Sequence, residues 1–440
     1  MRTINIGLVG LGTVGGGVAR LIMNHHDDYV KNYGIDLHLK KCCSLYQSDA
    51  DRLGLSADQF TTDWHDVVSD PDIDIVIELI GGTHPAMDIF EESFKSGKHV
   101  VSANKALLGR NTEHLARLAA ENGVSFRCEA AAAGGIPVVH ALEHELNGNE
   151  ILTIAGIMNG TTNYILSRMK HEGSDFAEVL ADAQALGYAE ADPSADVDGF
   201  DAASKIAILG SMGFRTRITT DDVYMQGIRD ISAADIEVAE ELGCTIKLLA
   251  IARKTDTGVD VRVHPTMIPN GHPLASVDGA MNAVYVVGDA VGETMFYGAG
   301  AGSFPTASAV VGDVFALAEP ISQGQKPLPE AEPFSVNRPI RTIDNLHTRY
   351  YIRLTVEDQL GTLAASTRIL TDNNISISNI RQLEGTGDGT CTLVFVTHSA
   401  LEADLKKAVE ALAADDSIRE VASVIRVEDI DKWTEGVFAN

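Results

Sequence analysis

The chain is predicted to be an α/β protein in three parts: an N-terminal doubly wound parallel-sheet domain of Rossmann type, an α+β middle domain, and a small C-terminal ferredoxin-like domain. Three observations predict this. An apolar strand over 4–9 runs straight into Gly10-Leu11-Gly12-Thr13-Val14-Gly15 and a helical pattern. Apolar strands then alternate with amphipathic stretches to about residue 129, the rhythm of a parallel sheet covered on both faces. Beyond a proline-rich stretch, strand and helix signals follow the order βαββαβ.

In the glycine run the spacing assigns the first glycine to the turn, the second to close approach of a pyrophosphate and the third to helix–strand packing. The helix that follows presents its N-terminus to the phosphates. The second strand, over 36–45, ends in Cys42-Cys43-Ser44-Leu45 with no acid before Asp49. NAD-selective sites usually place an acid there, so nothing repels a 2′-phosphate, and NADP is favoured over NAD although Arg52 comes only later. Strands over 73–80 and 99–102 end in Gly81-Gly82-Thr83 and Ala103-Asn104-Lys105, which puts Thr83 and Lys105 at the carboxyl ends where ligands bind. Helices over 83–97 and 112–123 and a strand over 124–129 complete the domain, residues 1–135.

The middle domain, 136–320, contains strands over 151–158, 245–252, 259–265, 283–287 and 293–298 backed by helices. Its densest chemistry lies at 187–205, where Glu190, Asp192, Asp196, Asp198 and Asp201 precede a single lysine, Lys205. Asp201 and Lys205 are four apart and share one face of a helix that continues into Ile206-Ala207-Ile208-Leu209. This suits a proton-passing lysine held by carboxylates that also bind a cationic substrate group; the bland alternative is a solvated acidic loop with a surface ion pair. The segment 298–320, with glycines at 298, 300 and 302, returns as a helix carrying proline in its first turn.

These stretches together resemble the homoserine dehydrogenase family. The resemblance rests on the glycine fingerprint, ELIGGTHPA (78–86), SANKALL (102–108), CEAAAAGGIPVV (128–139), IMNGTTNYIL (157–166) and the 190–205 block, in unbroken order from residue 4 to about 320. It implies reversible NAD(P)-dependent hydride transfer between L-homoserine and L-aspartate 4-semialdehyde, within threonine, methionine and isoleucine biosynthesis. By the same resemblance Lys205 and Lys105 are catalytic and Asp201 orients the reaction. Glu190 holds the substrate amino group with Asp196 nearby, and Asn159 with Thr161 supplies donors to its carboxylate. Gly10, Gly12, Thr13, Val14, Gly15, Thr83, Lys105 and Gly302 contact the cofactor. Glu129, Ala132, Gly134 and Ile136 ring a monovalent cation, Na+ or K+, three of them through backbone carbonyls.

Residues 321–345 form a proline-rich linker with Pro327, Pro329, Pro333 and Pro339. Residues 346–427 resemble an ACT domain, an amino-acid-sensing module. The resemblance points to Gly361 and Asn374 as a regulatory site for threonine, although Leu360 replaces the usual proline. Pairing of such domains implies a homodimer or homotetramer.

A net charge of −28 argues against nucleic acid or anionic membranes as partners. Five cysteines without metal spacing read as reduced thiols in a cytoplasm. No apolar run is expected to approach membrane-spanning length, and the first strand leaves no room for a signal peptide. His140-Ala141-Leu142-Glu143-His144 matches the HxxEH pattern of inverted zinc proteases but lacks a third ligand. Two rival functions were weighed. A phosphorylating aspartate-semialdehyde dehydrogenase needs an activated Cys128, and a non-catalytic dinucleotide-bound sensor has no use for the acidic cluster and its lysines.

Overall fold

The computed structural model describes residues 2–327, 334, 336–383 and 389–438. Its first sheet contains six parallel strands: β1 (Thr3–Val9), β2 (Asp36–Cys43), β3 (Phe60–Thr61), β4 (Ile75–Glu78), β5 (His99–Ser102) and β6 (Phe126–Arg127). They stand in the order β3-β2-β1-β4-β5-β6. The order reverses between β1 and β4, which opens a crevice at their carboxyl ends. The strands are joined by helices α1 (Thr13–Asn24), α2 (His26–Tyr33), α3 (Gln47–Leu53), α4 (His65–Val68), α5 (Ala86–Lys95) and α6 (Lys105–Asn122). All of β4 and β5 is buried, as expected of strands covered on both faces.

Several boundaries differ from those read in the sequence. The strand expected over 73–80 stops at Glu78, because the chain turns through Gly81 and Gly82, both at positive φ. The helix expected from 112 begins at Lys105, capped by the Asn104 side chain, which accepts from the Leu107 N–H. The strand expected over 124–129 is reduced to Phe126–Arg127, and Glu129 instead opens the short helix α7 (Glu129–Ala133).

An irregular turn at Ala141–Glu145 leads into the second sheet. It contains β7 (Ile151–Ile157), β8 (Tyr224–Met225), β9 (Cys244–Thr255), β10 (Gly258–Pro269), β11 (Met281–Gly288) and β12 (Gly292–Ala299). Helices α8 (Gly160–Glu172), α9 (Phe176–Ala185), α10 (Ser194–Val197), α11 (Phe200–Phe214) and α12 (Ala233–Glu241) belong to this region, and α11 packs across β7, β9 and β10. Helix α13 (Ser303–Ser322) then crosses back onto α1, where Gly17 meets the Ser303 carbonyl and Ala307. By length and composition α13 is the one helix among the described residues that could cross a membrane, contrary to the expectation of no such run. Its apolar residues, Val310, Val314 and Leu317 among them, are buried in the core shared with β1 and α1.

The C-terminal region contains β13 (Ile340–Arg341), β14 (His347–Glu357), α14 (Thr362–Asp372), β15 (Ile377–Leu383), β16 (Thr390–Thr397), β17 (Ala400–Leu401), α15 (Glu402–Ala413) and β18 (Ile418–Val427). The order β18-β14-β16-β15 is the ferredoxin-like arrangement. This sheet is continuous with the second one. β18 pairs in parallel with the end of β10, Thr266 opposite Arg426 and Met267 opposite Val427. The outer edge of β10 is thus shared by three short parallel partners: β13 at its start, β8 in the middle and β18 at its end. Two open edges that would otherwise attract other chains close each other. The linker from Val336 onward is bonded to the middle domain, with Val336 N–H donating to the Arg215 carbonyl and Val259 N–H to the Pro339 carbonyl. Pro320 lies in α13, and Pro329 and Pro333 fall outside the described residues. After β18 the chain returns to the middle sheet and buries Trp433 completely among Leu249, Ile251 and Tyr285.

Candidate active site

β1 delivers the chain into a glycine loop whose members have separate geometric duties. Gly10 has φ +99, and a Cβ there would stand 2.7 Å from the Leu79 carbonyl carbon. A Cβ on Gly15 would lie 1.8 Å from the Gly10 oxygen, so β1 and α1 meet only because Gly15 has no side chain. Gly12 has nothing within 4 Å of that position, and as N-cap of α1 it gives no side-chain cap to the first turn, Thr13-Val14-Gly15. Uncapped N–H groups beside open space form a cradle for an anionic phosphate. Ser303 Oγ donates to the Thr13 carbonyl at 2.7 Å, tying α13 to this loop.

A cavity of about 420 Å³ adjoins the loop, lined by Gly12, Ser44, Tyr46, Asp49 and His84 among others. Thr83 is exposed on the same rim. Arg52, remote from the strand tip in sequence, is carried to the glycine loop by α3, where its guanidinium donates to the Leu11 carbonyl at 2.7 Å and to Asp49 at 3.0 Å. Asp49 also accepts from Ser44 Oγ at 2.6 Å, so this acid is already held by two donors.

A second cavity, of about 600 Å³, continues from Val14 and Gly302 to Lys105, Lys205, Asp201 and Asp196. Gly199, at φ +92, starts α11, and its first two turns place Asp201 and Lys205 together. The Asp201 carboxylate lies between two lysines: one oxygen accepts from Lys105 and the other from Lys205 at 2.7 Å. Lys205 also donates to the Met158 carbonyl at 2.6 Å. Burial pushes the Asp201 carboxyl up, but Lys205 and Lys105 outweigh burial and hold it well below the usual carboxylate range. Burial pulls the Lys205 ammonium below its ordinary value, Asp201 opposes this, and Lys105 adds to the lowering.

Lys105 owes its place to residues the sequence reading passed over. Glu78, fully buried at the end of β4, accepts from Ser102 Oγ at 2.8 Å and from the Ile80 N–H at 2.9 Å. Asn104 donates to the Gly82 carbonyl at 2.7 Å while its oxygen caps α6. The only sequence signal was an acid in an otherwise apolar strand.

The side chains of Asn159 and Thr161 are hydrogen-bonded within the protein. The Asn159 amide donates to Asp196 at 2.7 Å and to Asp201 at 2.9 Å, and its oxygen accepts from the Thr162 N–H. Thr161 Oγ1 donates to the Tyr188 carbonyl at 2.7 Å. Both side chains therefore spend their donors on the protein: Asn159 aligns the carboxylates and Thr161 holds the segment carrying Tyr188. Glu190 is exposed and does not line the cavity, and Asp198 is held by Arg229.

Behind this cavity, the Glu129 carboxylate accepts three backbone N–H groups, from Val138 at 2.7 Å, Val139 at 2.9 Å and His140 at 2.7 Å. Gly134, at φ +59, approaches the Gly300 carbonyl so closely that a Cβ would lie 2.2 Å from it. Ala132 and Ile136 are buried beside them. Among the described residues no group of three His, Cys, Asp or Glu side chains is disposed to hold a metal, and the His140 and His144 rings lie tilted against each other, centroids 4.3 Å apart. Cys128 is buried and does not line the cavity. In the C-terminal domain Gly361 (φ +99) and Asn374 (φ +60) lie beyond opposite ends of the eleven-residue α14, roughly 16 Å apart along its axis, so they do not converge within one chain.

Comparison with known proteins gives three family matches: "Homoserine dehydrogenase, NAD binding domain" over residues 10–129, "Homoserine dehydrogenase" over 137–315 and "ACT domain" over 350–416. The homoserine dehydrogenase of Neisseria gonorrhoeae is 42% identical over 434 residues, covering 98% of this chain and 100% of that protein. The crystal structure of a homoserine dehydrogenase from Thiobacillus denitrificans superposes with a TM-score of 0.92 at 41% identity, covering 98% of this chain and 99% of that one. A hyperthermophilic archaeal homoserine dehydrogenase in complex with NADPH matches with a TM-score of 0.61 at 25% identity, over 71% of this chain and 97% of the other.

Proposed function

The chain belongs to the homoserine dehydrogenase family, and from that premise we propose that Lys205, Asp201 and Lys105 carry the proton chemistry of its reaction. The enzyme interconverts L-homoserine and L-aspartate 4-semialdehyde. Bound NAD(P) supplies the hydride acceptor or donor. The protein's part is to seat both molecules, shed water and move one proton at the substrate's terminal oxygen. The observation that carries the assignment is one buried carboxylate shared by two lysines in the wall of a cavity that reaches the glycine loop.

A lysine whose ammonium is weakened by burial is a better base toward the alcohol near neutral pH, and in the reducing direction it donates to the developing alkoxide. Asp196 and Asp201 supply negative charge for the substrate ammonium, with Glu190 on the adjoining exposed segment. Since the Asn159 and Thr161 side chains are committed, the donors left for the substrate carboxylate are main-chain N–H groups at the start of α8, aided by its dipole.

The cofactor lies along Gly10, Gly12, Thr13, Val14 and Gly15, past Thr83 and Lys105 to Gly302. Arg52 beside the loop and the absence of an unpaired acid at the tip of β2 favour NADP, with NAD also accepted. A monovalent cation, Na+ or K+, is ringed by Glu129, Ala132, Gly134 and Ile136, three of them through backbone carbonyls. The ACT domain senses threonine, and the wide separation of Gly361 and Asn374 supports a site completed by a second copy in a homodimer or homotetramer.

The test is Lys205→Met. Turnover should fall about 10²- to 10⁴-fold, while NADP binding, read by nicotinamide fluorescence, stays at the wild-type level. Unchanged turnover would refute the role of Lys205.

A further inference from the structure

Both polar atoms of the Asn282 side chain are buried without a hydrogen-bond partner, although the residue belongs to the wall of the 600 Å³ cavity. Native proteins leave few buried amides bare, and those they do leave call for an explanation. The surroundings restrict it. Asn282 stands near the start of β11, opposite Gly298 of β12. It is screened by two residues that have no side chains: a Cβ on Gly300 would lie 1.9 Å from its Nδ2, and one on Gly160 would lie 3.6 Å from its Oδ1. Larger residues at either position would fill the approach to the amide.

The amide also adjoins the loop that returns to the proposed cofactor site. Gly300 leads through Gly302 to Ser303, which is hydrogen-bonded to Thr13 in the glycine loop. The charged groups of this wall and Asn159 are engaged with one another: Lys105 and Lys205 with Asp201, and Asn159 with Asp196 and Asp201.

A carboxamide with one bare donor and one bare acceptor is matched by a ligand group that offers both. The ammonium of homoserine only donates, its carboxylate only accepts, and its hydroxyl is required by Lys205. We infer that Asn282 pairs with the carboxamide of the cofactor's nicotinamide ring and thereby fixes which face of the ring meets the substrate. The inference rests on the proposed seating of the cofactor across the glycine loop and this cavity.

Three ligands decide it by direct binding, measured by calorimetry: NADP+, its 3-acetylpyridine analogue, whose methyl ketone accepts but does not donate, and ADP-ribose 2′-phosphate, which has no nicotinamide. Wild type should prefer NADP+ over the analogue by about ten-fold, and Asn282→Ala should bind the two alike. The same-sized Asn282→Asp, which keeps an acceptor and loses the donor, should weaken both, while ADP-ribose 2′-phosphate binds all three proteins equally. A wild-type preference retained in Asn282→Ala, or undiminished NADP+ binding by Asn282→Asp, overturns the inference. Failure of ADP-ribose 2′-phosphate to bind wild type overturns the seating of the cofactor and this inference with it.

Discussion

Asp201 divides its two oxygens between a lysine on its own helix and one from the parallel-sheet domain, so a single carboxylate joins two domains and raises the basicity of Lys205, the proposed proton carrier. The sign of the pH response follows. Homoserine oxidation needs Lys205 neutral, so kcat/KM should rise with pH through its lowered pKa, and semialdehyde reduction should fall over the same range. Asp201 raises that pKa, and Asp201→Asn removes the raising charge. The rising limb should therefore move to lower pH while the maximum rate drops; pH–rate profiles of both proteins check it. At this scale the sequence was informative where chemistry is local. The i,i+4 pair Asp201 and Lys205 could be placed on one face from spacing alone. Asn282 could not, because one polar residue in an apolar strand shows nothing until the neighbouring chain proves to be Gly160 and Gly300. Arg52 was misjudged as remote for the same reason: α3 folds it back.

Secondary elements meet here through residues chosen for what they lack. Gly12 and Gly15 both open α1, yet their substitution by alanine should fail differently. In Gly15→Ala the new Cβ collides with the Gly10 carbonyl, a backbone atom that cannot swing away, so stability should fall by about 2–4 kcal/mol. In Gly12→Ala nothing is struck and φ is −65, so the unfolding midpoint should match wild type while NADP affinity drops at least ten-fold from obstruction of the phosphate cradle. Thermal unfolding with and without NADP separates the two. The alternation of strands and helices was legible from period and punctuation. Boundaries were less so: α6 starts seven residues early because Asn104 caps it, a tertiary arrangement held by Glu78 and Gly82 that local pattern does not report.

For the whole molecule, the C-terminal domain is built into the middle sheet and not only tethered by its proline-rich linker. β18 completes the edge of β10, and Arg426 reaches from it to Gln226 at 2.7 Å and Tyr224 at 3.1 Å, next to the turn whose Ile228 N–H donates to the Val197 carbonyl of the substrate segment. Removing everything after Pro339 would reopen the β10 edge and empty the site of Trp433. The truncated chain should aggregate or melt well below wild type. Trp433→Ala in the intact chain isolates the second effect: it should cost about 3–5 kcal/mol in denaturant unfolding, because a fully buried side chain is replaced by a cavity. No composition shift announced this, since the tail's value lies in the hollow it fills on a sheet built nearly two hundred residues earlier.

That hollow also bears on how the protein is made. Trp433 leaves the ribosome well after the strands it seals. Until the segment around Trp433 emerges, the middle sheet waits with an apolar face and an open edge, so a segment made late closes a core laid down early. A prematurely terminated product would keep every residue assigned to chemistry and still present a chaperone or protease with unfinished surface.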